Sequence, residues 1–281
     1  MSDWQLRFPD HTGDSDVLIG DGTPFGVVSI SGLRGLPDVR SQSTPRDGAD
    51  GLFVSPDRAG GRTIDVVIDV AGDATALVDS LAAAMVPRSS PVALSFWEPG
   101  HDKRTVLGRW RRFAPVIDQA YSLGYTRIAA QFVCDDPRIY GEDEAASCSL
   151  PIGGGVTFPL VMPVVFSGTT GGSVVVTNDG STAARPTITI RGPATVPTVA
   201  NRTTGQSIGL FVVLDHGDEA VIDCAARTLT VAGTPARSLM LAGSSWITLA
   251  PGTNELTFRS SDATPPAAAL MTAVFADTWI A

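Results

Sequence analysis

The sequence predicts a mainly β protein, with a mixed α+β first half and an all-β second half. Its 29 glycines and 20 prolines fall between short apolar runs, where turns are needed. A hydrophobic fraction of 43% against a charged fraction of 17% indicates a folded chain with a real core. One segment carries convincing helical spacing, and it lies between predicted strands, which places the first half in the α+β class.

The first 61 residues combine short strands with a long polar excursion. Val17–Ile19 and Val27–Ile30 are short apolar runs on either side of the turn Gly20–Gly22. The stretch Leu36–Gly61 is rich in Gly, Pro, Asp and Arg, and it is longer than an ordinary connection inside a compact domain. We therefore expect it to form a hairpin arm or a functional loop.

A strand and a helix follow this excursion. In Arg62–Val70 alternate residues are apolar, as in a strand with one buried face. Asp73 can cap a helix whose apolar residues between Leu77 and Met85 fall on one face. Pro87 ends that helix, because proline lacks the N–H that a helix interior needs.

Three more strands complete the first half, and a linker is predicted after them. The strands are Val92–Trp97, Arg104–Val116 and Tyr125–Val133, and the first two are joined by a turn that contains Pro99. The acidic run Glu142–Glu144 and a glycine run at residues 153–155 flank a stretch with the composition of a linker. We place an N-terminal domain over residues 1–145 and a C-terminal domain over residues 150–281.

The second half has many short strands at regular spacing, which is the pattern of a β-sandwich. Turn signals such as Asn178–Gly180 and Asp215–Asp218 separate the strands, and no helix is predicted. The predicted strands are Ser173–Asn178, Thr187–Arg191, Ser207–Leu214, Ala220–Asp223, Thr228–Val231, Ser238–Met240, Trp246–Leu249, Asn254–Ser260 and Ala273–Ala281.

Charge and hydropathy exclude several classes of partner. The net charge is −9 and Lys103 is the only lysine, whereas a protein that neutralises many phosphates needs a basic surface. Specific nucleic-acid binding is therefore not expected. The N-terminus has no apolar signal core, and the most apolar stretch, Phe158–Phe166, contains two prolines and is too short to span a bilayer. We expect a soluble cytoplasmic product without membrane insertion.

Patterns that suggest catalysis are weak. Gly205–Gly209 matches G-x-S-x-G, but a nucleophile elbow requires a helix after the serine, and a strand-like run follows here. His11, His101 and His216 each lie in Gly- or Pro-rich turns, which favours solvated turn residues over members of a triad. The sequence therefore predicts no enzyme.

Metal, nucleotide and disulfide sites are not predicted either. No P-loop lysine or dinucleotide fingerprint is present. The acidic pairs and runs lack the spacing of a calcium loop, and three scattered cysteines favour reduced, buried thiols. No cofactor is therefore expected. The residues considered are Asp14 with Asp16, Asp47 with Asp50, Glu142–Glu144, Asp215 with Asp218, and Cys134, Cys148 and Cys224.

One basic cluster lies at the start of the predicted strand Arg104–Val116 and within it. Successive strand side chains point to opposite faces, so we expect the cluster to divide between the two sides of a sheet. Its partners would be acidic groups of the same domain or of a neighbouring subunit. The cluster consists of Lys103, Arg104, Arg109, Arg111 and Arg112.

Motifs in both halves resemble the distal tail proteins of long-tailed, non-contractile phages. In the first half, Gly32–Arg40 leads into the Gly/Asp-rich stretch, and Phe132–Tyr140 is similar to an Asp-Pro-Arg-x-Tyr junction between domains. In the second, Asn178–Gly180 and Arg185–Gly192 resemble the start of the family's C-terminal domain, and Asn201–Gly205 then precedes a predicted strand. The resemblance covers nearly the whole chain and depends on the order and spacing of these motifs.

This resemblance implies a fold and a structural role in the virion. The N-terminal domain would be a split β-barrel with one helix that forms a hexameric ring, and the C-terminal domain a galectin-like β-sandwich. The ring would be assembled in the host cytoplasm and lie at the distal tail tip. There it would join the tail-tube protein to the tail-tip hub protein, support receptor-binding proteins and let DNA pass.

A ring needs contacts between subunits, and we expect them on the long arm and on the basic strand. The expected intersubunit residues are Arg40, Arg46, Asp47, Asp50, Arg58, Arg109, Arg111 and Arg112.

Two alternatives stay open at this stage. A tail-tube subunit belongs to the same particle, but it is usually a single domain, and the all-β second half argues against it. A carbohydrate-binding module needs exposed aromatic side chains, and the second half has only two tryptophans, Trp246 and Trp279, and no tyrosine.

Overall fold

The computed structural model describes residues 5–10, 15–98, 100–151, 172–262 and 268–281. The fold is mainly β, as predicted. The chain divides into two compact units, Met1–Glu142 with Trp279–Ala281, and Asp143–Thr278. The predicted domain limits at residues 145 and 150 stay a prediction. His11, Asp14, Pro99, the glycine run at 153–155 and the apolar stretch Phe158–Phe166 lie outside the described residues.

Antiparallel strands of two to twelve residues, one three-turn helix and one short helix make up the first unit. Its elements are β1 (Gln5–Pro9), β2 (Asp16–Gly20), β3 (Phe25–Ser31), β4 (Val39–Arg40), β5 (Thr44–Pro45), β6 (Leu52–Phe53), β7 (Arg58–Ala59), β8 (Arg62–Ala71), α1 (Ala74–Ala84), β9 (Val92–Trp97), β10 (Arg104–Pro115), α2 (Gln119–Ser122) and β11 (Tyr125–Cys134).

The main sheet of the first unit is antiparallel, with the strand order β2-β1-β9-β10-β11-β8-β3. The two end strands β2 and β3 contact each other, so the sheet curls toward a barrel. In β8 alternate residues from Ile64 to Val70 are buried, as the sequence predicts. Trp110 lies in the core, with the rings of Phe8 and Phe132 edge-on at centroid distances of 5.1 and 5.0 Å.

Helix α1 has the N-terminal cap and the buried apolar face that the sequence predicts. The Asp73 carboxylate accepts a hydrogen bond of 3.2 Å from the backbone N–H of Ala76, and Val78 and Leu81 are buried in the core. The short helix α2 was not predicted, because four residues are too few to show helical periodicity. Asp118 caps α2 by accepting hydrogen bonds from two backbone N–H groups.

The second unit contains two larger antiparallel sheets and a two-stranded ladder of Ala194–Thr195 with Val213–Leu214. Its elements are β12 (Ile139–Ser149, which begins in the first unit), β13 (Ser173–Asn178), β14 (Thr187–Arg191), β15 (Ala194–Thr195), β16 (Thr198–Asn201), β17 (Gln206–Gly209), β18 (Val213–Leu214), β19 (Glu219–Asp223), β20 (Thr228–Val231), β21 (Thr234–Pro235), a 3-10 helix (Arg237–Leu239), β22 (Gly252–Arg259) and β23 (Leu270–Trp279, which ends in the first unit).

The two sheets pack on one shared core. The strand orders of the two larger sheets are β12-β23-β14-β19-β20-β21 and β13-β22-β16-β17. Ile190 and Ile222 of the first sheet lie in the same buried cluster as Ile208 and Phe258 of the second. This is the architecture of a β-sandwich. The more specific expectation of a galectin-like sandwich stays a prediction.

Several predictions about the second half are wrong in detail. Ser238–Met240 is not a strand, because the 3-10 helix Arg237–Leu239 occupies this position. Trp246–Leu249 forms no ladder and makes only an isolated bridge between Leu249 and Ala184. The predicted strand Ser207–Leu214 is interrupted between β17 and β18. The acidic run Glu142–Glu144, expected beside a linker, lies within strand β12.

Candidate subunit interface

Residues 36–61, called the arm below, form a long hairpin held by two short ladders. Val39 and Arg40 pair with Ala59 and Arg58 near the base, and β5 pairs with β6 near the tip. The tip turn is closed by a hydrogen bond of 3.1 Å from the Arg46 N–H to the Gly51 carbonyl. The predicted excursion is therefore a hairpin arm.

The arm is largely exposed, including its large apolar side chains. Val54 is 86% exposed, Leu36 74% and Phe53 63%. The guanidinium of Arg46 lies 5.4 Å from the Phe53 ring centroid, so a cation covers one face of that ring. A two-stranded hairpin is only marginally stable by itself in water. Large apolar side chains exposed together on such a hairpin are typical of a surface that contacts another protein.

A buried arginine anchors the base of the arm. Arg62 is 2% exposed, and burial lowers the pKa of its guanidinium. The guanidinium donates hydrogen bonds only to backbone carbonyls, at distances of 2.6 to 3.2 Å. It thereby connects the strand that follows the arm to three distant segments. The acceptors are the carbonyls of Gly32, Leu33, Gly35, Pro137 and Ile280.

The chain crosses β8 very closely where it enters the arm. Gly32 has φ +76°, and a Cβ there would lie 1.9 Å from the carbonyl oxygen of Thr63. Glycine alone fits this position without a backbone shift. Across the base of the arm, the Gly60 N–H donates to the Asp38 carbonyl at 2.6 Å. Both ends of the arm are therefore fixed.

The Asp-Pro-Arg-x-Tyr motif forms a local hydrogen-bonded cluster. The Asp136 carboxylate accepts from the backbone N–H of Arg138 at 3.1 Å and from the Tyr140 hydroxyl at 2.9 Å. It also forms an ion pair of 3.2 Å with the Arg138 guanidinium. This cluster holds the turn that presents the Pro137 carbonyl to Arg62, which gives the motif a structural role.

The structure divides the predicted arm residues between two places. Arg40 and Arg58 lie directly opposite each other in the β4–β7 ladder. Arg46, Asp47 and Asp50 lie at the tip, and all of these side chains are exposed. Their contact with a neighbouring subunit stays a prediction.

The predicted arginines of β10 have different environments. Arg109 forms an ion pair with Asp135 and donates to the Ser89 carbonyl at 3.2 Å, so it already has partners within its own unit. Arg111 and Arg112 are both exposed, because the register shifts between Trp110 and Arg112. The expected strict alternation is wrong at this point, since a bulge adds one residue to the strand and redirects its side chains.

The other cations of this cluster lie over aromatic rings. The Arg104 guanidinium lies 4.2 Å from the Trp279 ring centroid, and the Lys103 ammonium lies 5.8 Å from that of Trp97. These contacts within the first unit account for two of the five cations.

Two charge clusters escaped the sequence analysis. Arg34 forms an ion pair with the buried Glu98, and Asp69 accepts hydrogen bonds from Arg127 at 2.7 Å and from the Tyr125 hydroxyl at 2.6 Å. The pKa of Asp69 is lowered, mainly by its hydrogen bond with Arg127. The partners in each cluster are more than fifty residues apart in sequence, so local patterns carry no signal for them.

The G-x-S-x-G serine and the cysteine Cys134 have structural surroundings in the described part of the chain. Ser207 lies within strand β17 rather than on a strand-to-helix turn. Cys134 is buried, which raises the pKa of its thiol to about 12.

Over the described ranges, no group of three or more His, Cys, Asp or Glu side chains is placed to hold a metal ion. No helix among the described residues is long and apolar enough to cross a membrane.

Comparisons with known proteins connect this architecture to phage tails. Residues 179–279 match the family model of the siphovirus-type tail component, C-terminal domain. The fold is similar to the crystal structure of SPP1 Dit (gp 19.1), described as a paradigm of hub adsorption apparatus in Gram-positive infecting phages. The TM-score is 0.67 at 18% identity, with 98% of each chain covered.

A second similar structure comes from the phage p2 baseplate in its activated conformation with Sr. The TM-score is 0.50 at 11% identity, with 97% of each chain covered. No curated protein matches the chain in sequence. The predicted resemblance to the distal tail protein family is confirmed: residues 179–279 match the model of the siphovirus-type tail component C-terminal domain, and the chain shares the fold of SPP1 Dit.

Proposed function

We propose that this chain is a structural subunit of a siphovirus tail tip. Six copies form a ring at the distal end of the tail tube, and the ring joins the tube to the tail-tip hub. The observation that carries this proposal is the family match of residues 179–279, together with a Dit fold that covers 98% of the chain. The function is mechanical, since a junction ring holds its neighbours in place and performs no reaction.

The surface of the first unit supports assembly into a ring. A ring repeats one heterologous interface by rotation, so each subunit needs a projecting surface and a receiving surface. The arm projects with exposed apolar side chains such as Phe53 and Val54, which favours docking on a neighbour. The net charge of −9 favours DNA passage through the ring, because like charges repel.

The partners of the ring follow from its place in the particle. One side contacts the tail-tube protein, the other contacts the tail-tip hub protein, and the periphery supports receptor-binding proteins. The protein is assembled into the virion in the host cytoplasm.

The two alternative functions have less support. Trp246 is partly buried, and Arg237 lies 5.6 Å from its ring centroid, so this side chain is a poor platform for stacking a sugar. A tail-tube subunit is usually one tube-forming domain, whereas the sandwich of the second unit has its own separate core.

Immunogold microscopy tests the proposal directly. Antibodies against the second unit are applied to intact particles of the phage that encodes this chain. We expect gold at one point on each tail, at the end far from the head, and its loss when the antibody is first mixed with purified protein. Gold along the whole tail would favour the tube subunit. Particles that bind no gold, even after detergent treatment has exposed the tail tip, would contradict a role in the virion.

A further inference from the structure

We propose that the ring closes through one charge contact, in which the paired arginines Arg40 and Arg58 of one copy bind the acidic cluster Glu144, Asp179 and Asp277 of the next copy. This inference rests on the proposed ring and adds to it the two surfaces that meet. The argument begins with an unusual pair of like charges on the arm.

Arg40 and Arg58 face each other across the β4–β7 ladder. Side chains directly opposite in an antiparallel pair lie on the same face of the ladder, and like charges there are unfavourable. The two arginines line a cavity of about 210 Å³ together with Gln42, Ser55 and Pro56. A cavity whose only charged lining residues are two arginines favours a carboxylate, which guanidinium binds with paired hydrogen bonds.

Neither arginine of this pair forms an ion pair with a described residue of its own unit. Asp38 and Asp57 are close in sequence, yet neither forms an ion pair with the two arginines. The chain has 29 acidic and 20 basic residues, so carboxylates are plentiful. Two arginines that face each other without an ion pair therefore indicate that their carboxylate partner comes from another subunit.

The second unit carries a cluster of negative charges, opposite in sign to the arginine pair. Glu144 on β12 is exposed and lies near Asp277 and Asp179, and its pKa is raised by partial desolvation and then by these two negative charges. Asp277 accepts a hydrogen bond of 2.7 Å from the backbone N–H of Asp179, which fixes the cluster. No ion pair among the described residues includes any member of this cluster.

A ring interface joins two different patches of the same chain, so the two patches must be complementary. The arginine pair and the acidic cluster are complementary in sign, and neither forms an ion pair among the described residues. Their contact relieves the repulsion inside both patches at once. Electrostatic complementarity of this kind also fixes the register of an interface and accelerates association.

Charge reversal tests this contact. One variant combines Arg40→Glu with Arg58→Glu, and the other combines Glu144→Arg with Asp179→Arg. We expect each variant alone to remain folded by circular dichroism and to sediment as a monomer. An equimolar mixture of the two should form rings again, because each reversed patch then meets its complement on the other variant. A matched control, Arg185→Glu with Arg227→Glu, changes two exposed arginines that have no ion pair and should assemble normally.

The outcomes separate this inference from the proposed function. Rings that form equally well from wild type and from both reversed variants overturn the charge contact and leave the ring intact. Reversed variants that fail alone and also fail when mixed overturn the pairing of these two patches. A wild-type protein that never assembles overturns the proposed ring and the contact with it.

Discussion

At the scale of single residues, the guanidinium of Arg62 connects segments that lie far apart in sequence. It is almost fully buried and satisfies five backbone carbonyls without a carboxylate partner in the described chain. The sequence shows Arg62 only as the first residue of a predicted strand. Its role became visible only when the fold brought Gly35, Pro137 and Ile280 to one place, since no local pattern encodes such distances.

Replacing Arg62 tests this anchoring role. Arg62→Met removes every donor from the buried carbonyls, and we expect the free energy of unfolding to fall by about 2–4 kcal/mol, because unsatisfied buried acceptors are costly. Arg62→Lys keeps fewer donors and should lose less. The measurement is the urea midpoint followed by circular dichroism. The exposed Arg111→Met serves as control, with an expected change within about 0.5 kcal/mol, and an equal loss in both methionine variants would refute the anchor.

Asp69 makes the stability of the first unit depend on pH in the acidic range. Its pKa in the folded state lies below the ordinary value of 3.8, mainly because of its hydrogen bond with Arg127. A lowered carboxyl pKa contributes stability that is present above the unfolded pKa and is lost as the pH falls through the folded pKa.

We expect Asp69→Asn to lower the melting temperature by a constant amount at pH values well above 3.8. The difference from wild type should shrink as the pH falls below that value, because wild-type Asp69 is then protonated as well. Melting curves over a pH series provide the measurement. A difference that does not change with pH would show that the carboxylate charge contributes nothing.

At the scale of elements, the segment Trp246–Ala250 shows why a strand prediction fails. Its alternation is real, since Ile247 and Leu249 are fully buried. Apart from the bridge between Leu249 and Ala184, however, its backbone bonds mainly to side chains and not to a neighbouring strand. The Thr248 carbonyl accepts from Asn201, and the Thr248 N–H donates to Gln206. Periodicity predicts which residues are buried, but it cannot tell which groups satisfy the backbone.

The asparagine that holds this segment is a sharp test of that explanation. Asn201 is fully buried and donates to the Thr248 carbonyl at 2.8 Å and to the Asn254 side chain at 3.0 Å. Asn201→Ala should lower the free energy of unfolding by about 1–3 kcal/mol. Thr253→Ala on the exposed face of β22 is the control, and urea denaturation compares the two. Equal midpoints would mean that the side-chain bonds do not hold the segment.

Elements with simple periodicity were predicted well. Strand β8 and helix α1 have the expected buried faces, and β13 and β14 have the predicted bounds. The exceptions have local physical causes. The bulge at Arg111 needs tertiary context, and the acidic run Glu142–Glu144 has linker composition yet pairs as part of β12. A polar composition indicates that a segment is exposed to solvent. An exposed strand and a linker can therefore have the same composition.

At the scale of the whole molecule, the mainly β class and the sandwich of the second half followed from turn spacing and alternation. Each unit has its own buried cluster, so each has the core that a domain needs. The candidate interface was only partly visible in the sequence. The arm was recognised by its length and polarity, but the opposition of Arg40 and Arg58 depends on hairpin register.

The mass of the purified protein in solution tests the ring most directly. Light scattering over a range of concentrations should detect a species of about 175 kDa, six times the chain mass of 29.2 kDa. Negative-stain images of that species should show closed rings with an open centre. A single species of 29.2 kDa at every concentration up to the solubility limit would contradict a self-assembling ring.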